Sequence, residues 1–282
     1  MQYKNVLVTG GAGFVGSHLC EALVKEGCKV TSIDNYSSGS RDNHVAGVEY
    51  LDCDTKNISQ YNLNVDLIYH LGEYSRVEES FNDCDKVFES NTIGTLEVIR
   101  YATDRKCKLV YAGSSTKFGD NGTDSSPYAF TKSTNTQLVK NIGAWYGLNY
   151  AITYFYNVYG PREIASGSYA TVIAKFNNMR KAGFALPVTS PGSQIRNFTH
   201  VSDIVSGLLL VGDHGVGDGY GIGADQAYSI LQVAEMFDCD ILMQPEKLGN
   251  RMSAQLITDK VKALGWKQNI YLEEYITKLI KT

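Results

Sequence analysis

The stretch Asn5–Gly16, NVLVTGGAGFVG, constrains the fold more than any other part of the chain. Asn5–Thr9 is short, apolar and rich in β-branched residues, enough for one buried strand. Gly10, Gly11, Gly13 and Gly16 follow, and Ser17–Lys25 continues with helix-forming residues. In a strand–turn–helix unit the glycines make a tight turn, let backbone N–H groups approach a pyrophosphate, and let helix pack closely on strand. The positive end of the helix then faces the phosphates. A lone GxGxxG is equally an ordinary turn. Here an acid, Asp34, closes a second apolar run eighteen residues after Gly16, so the stretch reads as a dinucleotide site. A carboxylate at that strand end suits the ribose hydroxyls of NAD and repels the 2′-phosphate of NADP.

Further apolar runs at Val30–Asp34, Val48–Cys53, Val65–Leu71, Leu109–Ala112 and Tyr150–Tyr156 predict buried strands. Between them, Phe81–Arg105 has helical periodicity, with Val87, Phe88, Asn91, Leu96 and Ile99 near one face. Pro127–Tyr146 predicts a long helix with Ser126 as N-cap. Strands alternating with helices predict an α/β fold: a Rossmann-like, doubly wound parallel sheet with ligands beyond its C-terminal strand ends. After Pro161 helices are expected at Tyr169–Ala182, Val201–Leu210, Ser229–Phe237, 258–264 and 271–281, with extended chain at Leu186–Thr199. The expected division is a dinucleotide-binding domain at 1–160 and a smaller, mostly helical substrate lobe at 161–282, some of whose segments return to the first domain.

A chain of 282 residues, 43% hydrophobic and 20% charged, can bury a full core. Its net charge of −4 gives no electrostatic reason to expect nucleic acid or an anionic membrane as partner, so any phosphate site must be local. The cysteines (Cys20, Cys28, Cys53, Cys84, Cys107 and Cys239) show no metal-ligand spacing, and the histidines are scattered, so no metal is expected. With no signal-peptide pattern before the first strand and no apolar run of membrane-span length, a cytoplasmic protein is expected.

Of nineteen tyrosines only Tyr128 has a lysine, Lys132, four residues later. Context gives that spacing its meaning. The two lie one turn apart on the helix after the fifth strand, and Ser114 and Ser115 lie just past that strand's end, where such a sheet puts its ligands. A lysine ammonium beside an oxidised nicotinamide favours the phenolate, and a serine hydroxyl can share the proton. Together they make a base for an alcohol whose carbon gives up a hydride.

The chain resembles the extended short-chain dehydrogenase/reductases, specifically the NAD-dependent nucleotide-sugar epimerase/dehydratase group. The resemblance runs over nearly the whole length: TGGAGFVGSHL at 9–19, DNYSSG at 34–39, HLG at 70–72, NTIGT at 91–95, GSST at 113–116, SPYAFTK at 126–132, YNVYGPR at 156–162 and RNFTHVSD at 196–203. It implies a catalytic set of Ser114, Tyr128 and Lys132. It implies NAD held by Gly10, Gly13, Phe14, Val15 and Gly16, by Asp34, Asn35 and Ser38, and by Asp52 and Cys53. Leu71, Gly72, Glu73, Ser75, Asn91 and Tyr156 complete that set, with Tyr128 and Lys132. Ser114, Asn157, Arg196 and Arg251 would face the nucleotide-diphosphate sugar.

The departures matter too. Dehydratases of the group carry Asp-Glu after the catalytic hydroxyl residue, where this chain has Ser115 and Thr116, which argues against water elimination. The family usually has two small residues after His70-Leu71, and this chain has Gly72 and Glu73. Glu73 reads most simply as a surface-loop glutamate, the other reading being a group facing cofactor or sugar. Lys117 and Tyr154 replace residues that are commonly apolar and arginine. The expected activity is NAD-dependent epimerisation of a nucleotide-diphosphate sugar, most simply a UDP-hexose at C4. A nucleotide-sugar dehydrogenase or reductase and a non-catalytic dinucleotide sensor are the alternatives. The resemblance also implies a homodimer built on the helices of Phe81–Arg105 and Pro127–Tyr146.

Overall fold

A computed structural model describes residues 1–119, 122, 124–167, 169–246 and 251–281. Its centre is a parallel sheet of seven strands. Six of them are β1 (Asn5–Thr9), β2 (Lys29–Asp34), β3 (Val48–Asp52), β4 (Leu67–His70), β5 (Lys108–Ser114) and β6 (Tyr150–Phe155). The seventh, Gly217–Ile222, joins β6 at the far edge, and the order across the sheet runs from it through β6, β5, β4, β1 and β2 to β3. The order turns back between β1 and β4, and at such a switch point a crevice opens beyond the strand ends.

Strand alternation sends side chains to two separate cores. Val6 and Val8 face Leu19 and Leu23 of helix α1 (Phe14–Lys25) and Ile204 and Leu208 of the helix Val201–His214. Leu7 faces the other way, into a core with Ile68, Tyr111, Val98 and Val139. A third core around Tyr159, Phe176, Val188, Phe237 and Leu272 lies in the second half of the chain. That half is thus divided between the sheet, to which it gives the strand Gly217–Ile222 and the helices Val201–His214 and Asp259–Ala263, and a lobe of its own.

Two sequence expectations change. Val48–Cys53 is not a buried strand: β3 is the sheet's edge, with Glu49 and Asp52 exposed and Val48, Tyr50 and Leu51 only half-buried. Phe81–Arg105 is not one regular helix but short turns, Cys84–Val87, a π-helical segment Phe88–Gly94 and the α-helix Thr95–Asp104. Phe88 is 39% exposed rather than on the buried face. By contrast Pro127–Tyr146 is one helix over that whole range, with Ser126 capping it by accepting from the Ala129 N–H and Gly147 ending it at φ +71°.

Candidate active site

Gly10 takes φ +75°, and a Cβ on Gly16 would stand 2.0 Å from the Gly10 carbonyl oxygen, so only glycine allows α1 to start this close to β1. Asp34 ends β2 and accepts from the backbone N–H groups of Ala12 (2.9 Å) and Tyr36 (2.8 Å). Its burial raises the carboxyl's pKa, and the two amide donors oppose that rise. Arg41, the nearest arginine, is paired with Asp52 at 2.7 Å.

The glycine turn and Asp34 open onto a cleft of about 720 Å³ that runs beyond the strand ends to the second lobe. Gly10, Gly13, Phe14, Val15, Gly16, Asp34, Asn35, Ser38, Cys53, Leu71, Gly72, Glu73 and Ser75 all line it. Ser114, Tyr128, Lys132, Asn157, Arg196 and Arg251 line the same cleft. Three expected cofactor residues do not. Asp52 points to solvent and holds Arg41. Asn91 is fully buried in the π-helical segment and exchanges hydrogen bonds with the Tyr74 backbone (2.7 and 3.2 Å), pinning the loop after β4. Tyr156 is buried, and its hydroxyl donates to Gln255 O (2.8 Å) and accepts from Ile257 N–H.

Ser114 sits on the last position of β5, one residue pair beyond the strand expected from sequence. The Tyr128 hydroxyl donates to Ser114 Oγ at 3.1 Å, and Thr116 Oγ1 donates to the same oxygen at 2.9 Å. Lys132, one turn after Tyr128 and 6% exposed, donates to the Ala112 carbonyl and to the Glu73 carboxylate. Glu73 therefore is not a surface glutamate. Its side chain is 2% exposed, and besides Lys132 it accepts from Thr95 Oγ1 (2.8 Å), Asn135 Nδ2 (2.9 Å) and the Tyr111 hydroxyl (3.1 Å). Burial alone would raise its pKa. The Lys132 ammonium and the donated hydrogen bonds outweigh burial and hold it below the ordinary value.

The chain of contacts continues. Thr95 gives its proton to Glu73 and so accepts from His70 Nε2 (2.8 Å), while His70 Nδ1 accepts from Thr9 Oγ1 (2.7 Å). Thr9 Oγ1 in turn accepts from the Gly72 N–H at 3.0 Å. Burial pushes the pKa of His70 down from 6.5 to about 4, with Glu73 raising and Lys132 lowering it. Between those values the unfolded chain binds a proton that the folded chain refuses, so stability is lost as pH falls through that window. Denaturant unfolding midpoints are expected to fall from pH 7 to pH 5, and His70→Gln to flatten that fall. An identical slope in the variant would contradict a neutral His70.

Two departures noted in the sequence answer each other. Lys117 Nζ donates to the Tyr154 hydroxyl (3.3 Å), which donates to Asp218 (2.6 Å) behind the cleft. Sequence reasoning missed Arg76, which lines the cleft with its guanidinium donating to Tyr169 O (2.5 Å) and Ser75 O (3.2 Å). It also missed Glu163, whose burial raises its pKa to about 7 against hydrogen bonds from Gly160 N–H and Thr171. Neither carries a spacing signal, because each is placed by a loop.

Residues 6–223 match the family model described as the NAD dependent epimerase/dehydratase family. Over 258 residues the chain is 31% identical to a UDP-N-acetyl-alpha-D-glucosaminuronate decarboxylase of Bacillus cytotoxicus, covering 82% of this chain and 78% of that one. A UDP-glucose 4-epimerase of Thermotoga maritima, solved with UDP-glucose, superposes with a TM-score of 0.91 at 25% identity, covering 98% and 97% of the two chains. A UDP-glucose 4-epimerase of Thermus thermophilus, solved with NAD, gives 0.88 at 25% identity, covering 98% of each. The glycine cradle, the Asp34 strand end and the Ser114–Tyr128–Lys132 cluster fit that cofactor. The chain belongs to the NAD-dependent epimerase/dehydratase family, an enzyme family acting on nucleotide sugars, and its cofactor is NAD.

Proposed function

We propose that the protein epimerises a nucleotide-diphosphate sugar, most simply a UDP-hexose at C4, through a transient 4-keto sugar. The observation that carries this is the Tyr128 hydroxyl at 3.1 Å from Ser114 Oγ, with Lys132 one turn away, all facing one cleft with the glycine cradle. Tyr128 takes the proton of the C4 hydroxyl and later returns it. Ser114 holds the same oxygen, and Lys132 keeps positive charge beside the developing phenolate. NAD, when bound, supplies the acceptor and donor of the C4 hydride. Turning of the ketone between the two transfers inverts the centre. Asn157, Arg196 and Arg251 are the residues we assign to the sugar's diphosphate end, with 161–282 as the substrate lobe. Thr116 engages Ser114 where the dehydratases have an acid, so the site has no second proton donor there for water elimination.

One observation favours a second reading. Arg76 lines the same cleft as Tyr128, and its buried Nε has no hydrogen-bond partner among the described residues. A guanidinium so placed suits a uronate, and a 4-keto uronate loses its carboxylate as CO₂ because it is a β-keto acid. Incubating the protein with UDP-hexoses, UDP-N-acetylhexosamines and UDP-uronates, and resolving products and CO₂, separates the two. Epimer pairs without CO₂ support the first reading; a pentose product with CO₂ supports the second and overturns the first.

We also propose a cytoplasmic homodimer. Phe81, Phe88, Ile93 and Phe130 are 39–51% exposed on the segments that the resemblance places at the interface, and the rings of Phe88 and Phe130 meet at a tilt with their centroids 6.1 Å apart. A self-complementary face of this kind is the commonest route to a dimer. Light scattering at micromolar concentration should give twice 31.1 kDa, and a mass near 31.1 kDa would contradict it.

A further inference from the structure

The buried carboxylate against the active-site lysine is the feature that the expected chemistry does not use. Lys132 has three N–H donors, two of them spent on Glu73 and the Ala112 carbonyl, which leaves one for a ligand in the cleft. Glu73 cannot swing away, because Thr95, Tyr111 and Asn135 hold its other oxygen. It stands in the loop after β4, which Asn91 pins and whose Gly72 N–H is tied to Thr9 at the end of β1. Where the resemblance leads one to expect a small residue, this chain has built a fixed negative charge beneath its catalytic cation.

We propose that Glu73 is a positioning residue that fixes the Lys132 ammonium and, as its counter-ion, biases the site toward the oxidised dinucleotide. The inference rests on the NAD-dependent reading above. An unbalanced ammonium beside the nicotinamide repels its positive charge in NAD⁺ and leaves neutral NADH alone. The Glu73 carboxylate on the buried side of Lys132 offsets much of that repulsion while the ammonium's remaining N–H still faces the cleft, so NAD⁺ remains the resting form, ready to take a hydride from the sugar. The bias also favours giving that hydride back, as a reaction with no net redox change requires.

The test equilibrates the protein with equimolar NAD⁺ and NADH, without sugar, and quantifies the bound nucleotides after rapid desalting and denaturation. Glu73→Gln keeps the shape and leaves Lys132 unbalanced, so the bound NAD⁺/NADH ratio should fall by about tenfold, the effect of one nearby charge at protein-like screening. The neutral double variant Glu73→Gln/Lys132→Met should return the ratio to within about twofold of the unmodified protein. A merely structural glutamate would not give this fall and recovery. An unchanged ratio in the single variant, or a double variant shifted as far as the single, overturns the proposal. If the single variant does not fold, Lys132→Met decides instead: it leaves the Glu73 carboxylate unbalanced and should raise the bound NAD⁺/NADH ratio by about tenfold, and an unchanged ratio there overturns the proposal. Failure of the unmodified protein to convert any nucleotide sugar would instead overturn the function proposed above, and the binding ratios would be untouched.

Discussion

Replacing Tyr128 by phenylalanine is expected to lower turnover by about 10²–10⁴-fold, the usual worth of a positioned proton-transfer group. The substitution keeps the ring and removes only the hydroxyl that now donates to Ser114. Fold and NAD affinity should therefore stay close to those of the unmodified protein, which separates loss of chemistry from loss of structure. Ser114→Ala should cost less, because it removes one hydrogen bond to the reacting oxygen and no proton acceptor. Initial rates with a converted nucleotide sugar, beside a thermal melt, check both. A folded Tyr128→Phe protein turning over at close to the normal rate would contradict the assignment.

Lys132→Ala should do damage of two kinds. It removes the positive charge beside the phenolate, and it leaves the Glu73 carboxylate 2% exposed with no counter-ion. Breaking a buried pair from one side costs about 3–5 kcal/mol, far more than losing an exposed one. Denaturant unfolding should therefore show a clear loss of stability along with the loss of activity. Adding Glu73→Gln to the same protein removes the stranded charge and should recover much of the stability but none of the turnover. A Lys132→Ala protein as stable as the original would contradict the buried pair.

The parts of the fold that were legible in the sequence are those whose signal is local. Asn5–Gly16 carries its strand, turn and helix in twelve consecutive residues, and Ser126-Pro127 marks the start of its helix by the chemistry of its own first turn. The seventh strand was not legible, because Gly217–Ile222 reads GDGYGI, with glycines in place of the β-branched residues that announce a strand. It forms because β6 offers it an edge, which is a tertiary fact. The irregularity of 81–105 was hidden likewise, since its side chains repeat at helical spacing while the π-helical segment sets Asn91 against the loop of Tyr74.

The site divides in the same way. Ser114, Tyr128 and Lys132 announce themselves by strand end and one-turn spacing, and all three line the cleft. Glu73 was misread because a charged residue in a polar loop normally faces water. Its burial depends on four partners, Thr95, Tyr111, Lys132 and Asn135, that lie 22 to 62 positions away in the chain. Tyr156 differs in the opposite sense: one residue past β6 and between the cleft residues Phe155 and Asn157, it turns its hydroxyl inward to Gln255.

The central claim is that the C4 hydride leaves the sugar and comes back to it within one site. Its most direct test uses UDP-glucose carrying deuterium at C4, incubated with the protein without added NADH, with the products resolved by mass and by NMR. UDP-galactose should form with deuterium still at C4, in D₂O-free buffer and with no free reduced cofactor. Product that has lost its C4 deuterium to solvent, or no C4 epimer from a protein that holds NAD and binds the sugar, would contradict it.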